Sequence, residues 1–504
     1  MGVRMKVKSI GLIGIGMVAG VAASFQFSAM AQKPGSAPLP LDELRQLTDV
    51  FGLIKTDYVE PVEDRKLLSE AITGMVASLD PHSVYLDKKA LREMQESMQG
   101  RFVGLGIEVA MEEGYVKIVT PIEDSPAFRA GIKAGDLITR IDSTPIKGMS
   151  LDEAIKKMRG EPKSKVVLTI ARKGDDMPWI VPLTREEIRV QSVKAKMVEP
   201  GYGWLRISQF QEQTVDDMVK KVNALYAQDP KLKGLVLDLR NDPGGLLPGA
   251  IGVSAAFLPH DKPIVSTAGQ RRDSNEVFYG RREFYAAKSG ADPLAKLPAA
   301  LKNVPVIVLV NTGSASASEI VAGALQDYKR AIIMGTQTFG KGSVQTLRPL
   351  TKDTAVKLTT ARYFTPNGRS IQAKGIVPDV MVDETAEGDG LNSLRVREAD
   401  LEKHLSDGSG KDSIDPGRAR RDEVEEDQRA QALARSRKPL EFGSKDDFQL
   451  AQALNHFKGL PVKLSKVEPV HDKEAEKSKD KAAPGVKVPA TEVKPPELNK
   501  GDKK

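Results

Sequence analysis

The chain of 504 residues has no cysteine, few aromatic residues and only five histidines. Without cysteine, disulfides, thiolate metal sites and a cysteine nucleophile are all excluded. The aromatic fraction of 5% and the charged fraction of 28% indicate globular cores flanked by polar segments. The length predicts two or three domains.

The formal net charge of +7 lies mostly at the two ends of the chain. Residues 1–31 and 462–504 each carry three net positive charges, which leaves +1 for the body between them. A near-neutral body lacks the basic surface that phosphate binding requires, so no nucleic-acid partner is expected. The Lys-rich tail alone leaves one alternative open, a protein that binds peptidoglycan or a membrane surface.

The first 31 residues have the pattern of a secretory signal peptide. Arg4, Lys6 and Lys8 precede an apolar stretch over 10–23, and Ala-Met-Ala at 29–31 resembles a cleavage site. The apolar stretch is shorter than the span of about 20 residues that a membrane helix needs. We therefore expect export to the periplasm, with an uncleaved membrane anchor as the alternative.

Changes in periodicity divide the rest of the chain into segments. Apolar residues at helical spacing predict a helical segment over 41–97, interrupted by an Asp-Pro-His-Ser turn at 80–83. Short strands punctuated by glycine, with one or two helices, follow over 98–188. Residues 189–385 alternate helices with continuous apolar runs, which are typical of buried strands in an α/β core. The last segment, 386–504, is polar.

Two features stand out within that polar C-terminal region. The stretch 446–457 has helical periodicity, and we interpret it as a candidate element for homo-oligomer assembly. The mixture of Lys, Pro, Ala and Glu after 462 contains no aromatic residue and predicts a disordered tail.

The glycine pattern of 98–188 resembles a PDZ domain. The match rests on Gly-Leu-Gly-Ile at 104–107, Ser-Pro-Ala at 125–127 and Gly-Asp-Leu-Ile at 135–138. The resemblance implies that backbone N–H groups of the first motif hold a peptide's C-terminal carboxylate, while the next strand edge pairs with the peptide. Lys163 departs from the pattern, because a second glycine is usual there; a β-rich spacer is the alternative. The implied peptide-binding residues are Gly104, Leu105, Gly106 and Ile107.

Ser316 lies in a run of small residues between a predicted strand and a predicted helix. A serine at such a turn exposes its hydroxyl at a helix N-terminus, where developing negative charge is favoured. Ser314 and Ser318 compete for the same role, and ordinary helix capping is the structural alternative.

Lys341 lies between two glycines at the entrance to another apolar strand. A lysine acts as a general base only when neutral, and burial lowers its pKa toward that state. A Walker loop does not fit, because Lys341 is followed by Gly342 rather than by Ser or Thr. We therefore expect no nucleotide cofactor. No histidine has metal-ligand spacing with a second one, so we expect no metal cofactor either.

The motifs Gly-Ser-Ala-Ser-Ala-Ser-Glu at 313–319 and Thr-Phe-Gly-Lys-Gly at 338–342 are similar to the core of the carboxyl-terminal processing (tail-specific) proteases. The resemblance implies Ser316 as nucleophile, Lys341 as general base and Gln345 as the residue that orients the lysine amine. It implies an α/β protease core of the ClpP/crotonase-like type over 189–385, with a helical N-terminal segment and an inserted PDZ domain.

A Pro-Gly-Gly turn at 243–245 also matches that family. Such a turn after a buried strand leaves backbone N–H groups facing a cleft, as an oxyanion hole needs. The resemblance implies one donor from Gly244 or Gly245 and another from Ala317, whereas a tight turn without a catalytic role is the alternative.

The sequence therefore predicts an exported serine endopeptidase that processes or degrades polypeptides recognised through exposed C-termini. A Ser-His-Asp triad is not expected, because none of the five histidines lies in a catalytic motif. A non-catalytic PDZ scaffold with a protease-like fold is the alternative, although it would predict a degraded dyad. An activating partner and a homo-oligomer are left open.

Overall fold

The structure is a computed structural model that describes residues 40–386, apart from 113, 123, 176, 288 and 289, together with 396–407 and 441–464. The predicted signal peptide and the tail from 465 onward lie outside the described residues. Of the described residues, 40–74 form one structural unit and those from Met75 onward form a second. Within the described ranges, no helix is both long and apolar enough to cross a membrane.

The N-terminal region is mainly helical, as the apolar spacing predicts. A short strand, Val84–Leu86, was not predicted; it pairs antiparallel with the later strand Ala355–Phe364 (β18) and so joins the α/β core. The elements of this region are α1 (Leu41–Asp57), α2 (Asp64–Ala77), β1 (Val84–Leu86) and α3 (Lys88–Gln99).

A separate antiparallel sheet occupies the segment that resembles a PDZ domain. Its strand order is β3-β4-β5-β7-β8, and no strand in the described part of the chain pairs with the outer edge of β3. Its core consists of fully buried aliphatic residues that alternate along the strands, such as Val116, Ile118 and Ile138. The elements are β2 (Arg101–Gly104), β3 (Ile107–Glu112), β4 (Tyr115–Pro121), α4 (Pro126–Arg129), β5 (Leu137–Ile141), β6 (Thr144–Pro145), α5 (Leu151–Met158), β7 (Lys165–Ala171), β8 (Trp179–Thr184) and β9 (Glu186–Arg189).

The α/β core contains a six-stranded sheet with helices on both faces. Its order is β10-β11-β12-β15-β16-β19, and its pairs are parallel except β10 with β11. A second sheet joins β18 to β1, β13 and β17, and β13 also pairs with β14. The elements are β10 (Val193–Glu199), β11 (Tyr202–Ile207), α6 (Thr214–Gln228), β12 (Gly234–Asp238), α7 (Leu247–Phe257), β13 (Pro263–Ala268), β14 (Glu276–Tyr279), α8 (Arg282–Tyr285), β15 (Val306–Val310), α9 (Ala317–Asp327), β16 (Ile332–Gly335), β17 (Ser343–Pro349), β18 (Ala355–Phe364), β19 (Val380–Met381) and α10 (Phe448–Phe457).

Burial of both sheet faces explains the continuous apolar runs of the central strands. Leu235 and Leu237 of β12 pack with the cluster that includes α6, α7 and α9, whereas Val236 packs with Leu450 of α10. A strand with helices on both faces has no side that faces solvent, so the alternation of apolar and polar residues disappears.

Helix α10 corrects the interpretation of 446–457 as an assembly element. Its apolar residues Leu450 and Leu454 are buried against the chain's own sheet, so the helical periodicity reflects core packing. A buried ion pair fixes the start of the helix: Arg240 Nη2 lies 2.6 Å from Asp447 Oδ2 and also 2.6 Å from Asp238 Oδ2.

Candidate active site

Ser316 lies at the start of α9, at the end of the turn that leaves β15. Its backbone has φ 55° and ψ −109°, a conformation that non-glycine residues rarely adopt. Such strain persists where the surrounding structure enforces it and is common at functional sites. A sharp strand-to-helix turn of this kind presents a serine hydroxyl at the edge of a sheet.

The two neighbouring serines are buried and serve the turn. Ser314 Oγ donates to the carbonyl of Leu239 at 2.7 Å and accepts the amide of Asn311 at 3.0 Å. Ser318 Oγ donates to the carbonyl of Asp242 at 2.8 Å. Both hydroxyls therefore have structural partners, whereas Ser316 is only partly buried.

Lys341 lies in a loop that packs on the serine turn. The amide of Phe339, two residues earlier, donates to the carbonyl of Ser314 at 3.0 Å. Burial lowers the pKa of Lys341, and the positive charge of Lys357 lowers it further, against the opposing effects of Glu398 and two other carboxylates. This is the direction that a general base requires.

One buried carboxylate, that of Glu319, connects the serine turn with the lysine loop. Its Oε2 accepts the amide of Ser316 at 2.7 Å and the amide of Lys341 at 3.0 Å. Its Oε1 accepts the hydroxyl of Thr338 at 2.5 Å and the amide of Gly340 at 2.7 Å. Burial raises the pKa of Glu319 to about 7, although these hydrogen bonds oppose the increase. Sequence reasoning missed this residue; its position three residues after the helix cap was the available signal.

Gln345 lies on β17, and its amide nitrogen donates to two hydroxyls rather than to Lys341. The nitrogen donates to Ser343 Oγ at 2.9 Å and to Thr359 Oγ1 at 3.4 Å. Among the described residues, no hydrogen bond joins it to the amine of Lys341, so its orienting role stays a prediction.

The Pro-Gly-Gly turn lies against the serine. A Cβ on Gly244, whose φ is 95°, would lie 2.8 Å from the nitrogen of Ala317 and 2.9 Å from Ser316 Cβ, so only glycine fits. The amide of Gly244 donates to Asp242 Oδ1 at 2.9 Å, whereas the amides of Gly245 and Ala317 find no acceptor in the described part of the chain. Of the three candidate oxyanion donors, Gly245 and Ala317 are the two left available.

The candidate peptide-binding loop before β3 has its carbonyls engaged and its amides open. The carbonyl of Leu105 accepts the amide of Ala127 at 3.0 Å, and that of Gly106 accepts the amide of Ile122 at 2.8 Å. The amides of Leu105 and Gly106 donate to no residue that the structure describes. Lys163 has φ 66°, which explains why glycine is usual at that position.

No hydrogen bond joins a histidine that the structure describes to the hydroxyl of Ser316. His82 Nε2 lies 2.7 Å from Glu398 Oε2, and His260 forms an exposed pair with Asp261. Over the residues described, no group of three or more His, Asp or Glu side chains could hold a metal ion.

Comparisons with known proteins show which family the chain resembles. The model of peptidase family S41 matches residues 201–382, that of the PDZ domain matches 103–183, and that of the activating protease CtpB N-terminal domain matches 18–90. The chain is 46% identical over 371 residues to a carboxy-terminal-processing protease of Bartonella bacilliformis, covering 73% of this chain and 82% of that one. It is 36% identical over 374 residues to a probable CtpA-like serine protease of Staphylococcus aureus, covering 74% and 71%. A solved photosystem II D1 C-terminal processing protease is 31% identical, covering 67% and 86%, with a TM-score of 0.39.

The chain therefore belongs to the carboxy-terminal-processing proteases of peptidase family S41. It is a serine-type peptidase that carries a PDZ domain, and its fold has mixed α/β content.

Proposed function

We propose that this peptidase is an exported endopeptidase that cleaves protein substrates with a Ser316–Lys341 dyad. The observation that carries the proposal is the shared carboxylate of Glu319, which accepts the backbone amides of both residues. Two chain segments 25 positions apart in sequence are thereby held in one site.

The geometry supports an acyl-transfer sequence in which Lys341 first accepts a proton from the serine and then donates it to the leaving group. Neutral Lys341 accepts the proton of Ser316 Oγ while the oxygen attacks the scissile carbonyl carbon. The amides of Gly245 and Ala317 stabilise the resulting oxyanion. Protonated Lys341 then gives the proton to the leaving amine, and water hydrolyses the acyl-enzyme by the same route. The amide oxygen of Gln345 is the acceptor that we assign to orient the lysine amine.

Substrate selection belongs, in this proposal, to the PDZ domain. The open amides of Leu105 and Gly106 offer donors to a C-terminal carboxylate, and the unpaired edge of β3 offers a strand partner to the preceding residues. Gly104 and Ile107 flank these donors and set the loop. We therefore propose polypeptides with exposed C-termini as substrates.

The same proposal includes the fold type of the core, the location of the enzyme in the cell and its partners. Parallel strands with helices packed on both faces favour a ClpP/crotonase-like core. The pattern of residues 1–31 favours a periplasmic enzyme, with a membrane anchor as the alternative. Similarity to an activating-protease N-terminal domain favours an activating partner, and a homo-oligomer stays open.

The test uses quenched fluorescent peptides with an apolar C-terminus, made either as free acids or as C-terminal amides. Ser316→Ala and Lys341→Ala should each abolish hydrolysis while the circular dichroism spectrum stays native, because each removes a group needed for proton transfer. Ser314→Ala and Ser318→Ala should retain activity and lose stability. The free acids should be cleaved faster than the amides.

Activity retained in Ser316→Ala or Lys341→Ala would reject the dyad. Equal cleavage of the two peptide series would reject carboxylate capture and leave the dyad intact.

A further inference from the structure

The turn over 80–83, which precedes β1, is built into the interior beside the lysine loop. Asp80 and Ser83 are buried. The carboxylate of Asp80 accepts the amides of His82 at 2.8 Å and Ser83 at 2.9 Å, and also the hydroxyl of Thr359 at 3.1 Å. The sequence identified this segment as a turn between helices, and the assignment of the dyad gives it no role.

A first chain of hydrogen bonds leads from this turn to the amide that follows Lys341. His82 Nε2 lies 2.7 Å from Glu398 Oε2, and Glu398 Oε1 accepts Gln372 Nε2 at 2.8 Å. Gln372 Oε1 then accepts the amide of Gly342 at 3.0 Å. Both Glu398 and Gln372 are fully buried, so solvent cannot replace either partner.

The same residues also limit how far the lysine loop can move. The backbone amide of Glu398 donates to the carbonyl of Phe339 at 3.0 Å, at the other end of the loop. A Cβ on Gly342 would lie 2.2 Å from the nitrogen of Gln372, so the two backbones are in direct contact. A shift of Glu398 would therefore displace the backbone on both sides of Lys341, at Phe339 and at Gly342.

A second chain runs from the turn to the residue that we assign to orient the amine. The hydroxyl of Thr359 donates to Asp80 Oδ1 and lies 3.4 Å from Gln345 Nε2. Gln345 and Thr359 are also directly opposite in the pairing of β17 with β18.

We propose that the 80–83 turn is a positioning element for the general base, with His82 acting through Glu398 and Gln372, and Asp80 acting through Thr359. The inference rests on the proposed Ser316–Lys341 dyad. None of these residues needs to touch the substrate; they fix the direction from which the lysine amine meets the serine.

Charges around Lys341 give this proposal a second readout. Lys357 from β18 faces the amine as a like charge, while Glu319 from α9, Glu398 and Asp80 are opposite charges that favour the ammonium form. Removing the charge of Glu398 should therefore make Lys341 easier to deprotonate and move the rising limb of activity to lower pH.

The experiment compares His82→Leu, His82→Gln and His260→Gln in the full chain. His82→Leu should lower kcat on the order of 10-fold with little change in KM, because a general base that is slightly misplaced transfers the proton less efficiently. His82→Gln keeps a side-chain N–H for Glu398 and should restore most of kcat. His260 is exposed, and within the described ranges its one ion pair is with its neighbour Asp261, so His260→Gln should behave as the native enzyme.

Glu398→Gln supplies the pH readout and remains informative if His82→Leu does not fold. Its profile of kcat against pH should have a lower plateau and a midpoint at lower pH than the native profile. A folded His82→Leu with native kcat, or a Glu398→Gln profile whose midpoint does not fall, would overturn the proposal. If Ser316→Ala is inactive, either of these results rejects only the positioning role of the turn. If Ser316→Ala is active, the proposed dyad itself is rejected.

Discussion

Replacing Glu319 by glutamine tests the carboxylate that holds the serine turn and the lysine loop together. The side chain accepts four hydrogen bonds, two on each oxygen, and is fully buried. Glutamine keeps one acceptor oxygen but turns the other position into an NH₂ donor, so two of the four donors lose their partner. An unsatisfied buried donor costs about 1–3 kcal/mol, which predicts a loss of about 2–6 kcal/mol in the free energy of unfolding. This loss applies at pH 5, where the native side chain is also neutral and the substitution removes no buried charge.

The pH dependence of stability and activity should have opposite signs at this residue. Burial raises the pKa of Glu319 from 4.5 to about 7, so the native state binds this proton more tightly than the unfolded chain does. Its stability contribution is therefore fully present below pH 4.5 and is lost as pH rises through about 7, a change of about 3 kcal/mol. Activity should instead fall as pH drops through about 7, because a proton on either oxygen opposes the N–H donors that fix Ser316 and Lys341.

The assay measures urea unfolding and peptide hydrolysis between pH 5 and pH 8 for the native chain and for Glu319→Gln. Glu283, whose side chain is 65% exposed, gives the matched control Glu283→Gln. We expect the control to follow the native chain at every pH, while Glu319→Gln loses both stability and the pH slope assigned to this group. A Glu319→Gln chain of native stability and activity, with an unchanged slope, would refute the reasoning.

Two further perturbations follow from buried charges. Asp447→Asn should destabilise the chain by about 2 kcal/mol in urea unfolding, because the guanidinium of Arg240 is buried and loses a charged hydrogen-bond partner. The control Asp446→Asn changes an exposed neighbour and should cost less than about 0.5 kcal/mol. Equal effects of the two substitutions would contradict the role of the ion pair. Lys357→Met should move the rising limb of the kcat profile to higher pH, because the like charge that helps to lower the pKa of Lys341 is removed; a shift to lower pH would contradict the electrostatic account.

The secondary structure was predictable, and the two candidate residues of the proposed dyad could be identified, because their signals are local. Apolar periodicity predicted the helices of the N-terminal region, and continuous apolar runs predicted β12 and β15. Small residues around Ser316 and glycines around Lys341 indicated where backbones must approach closely. Each of these signals occupies fewer than about 20 residues, within the range where periodicity can be recognised.

The supporting network was not predictable, because its members are joined only by the fold. His82 and Glu398 are 316 positions apart, and Glu398 falls in the region that the composition marks only as polar. Strand β1 has three residues, too few for a period to be recognised. The helical pattern at 446–457 was visible, but nothing in it distinguishes an apolar face that packs on its own sheet from one that packs on a second chain.

A base that must be neutral cannot be held in place by an ion pair, because an adjacent unpaired carboxylate would raise its pKa and keep it protonated. If Lys341 is the base of the proposed dyad, this explains why its loop is fixed by contacts to the main chain. The carboxylate of Glu319 is shared among N–H donors and a hydroxyl, and that of Glu398 is engaged by His82 and Gln372, so neither is left to bind the amine directly. Position is thus set by backbone hydrogen bonds while burial and Lys357 lower the pKa of the amine. Lys357 acts on basicity alone, whereas Glu398 and Glu319 act on both placement and basicity. Lys357→Met should therefore move the pH midpoint, and Glu398→Gln should change both kcat and the midpoint.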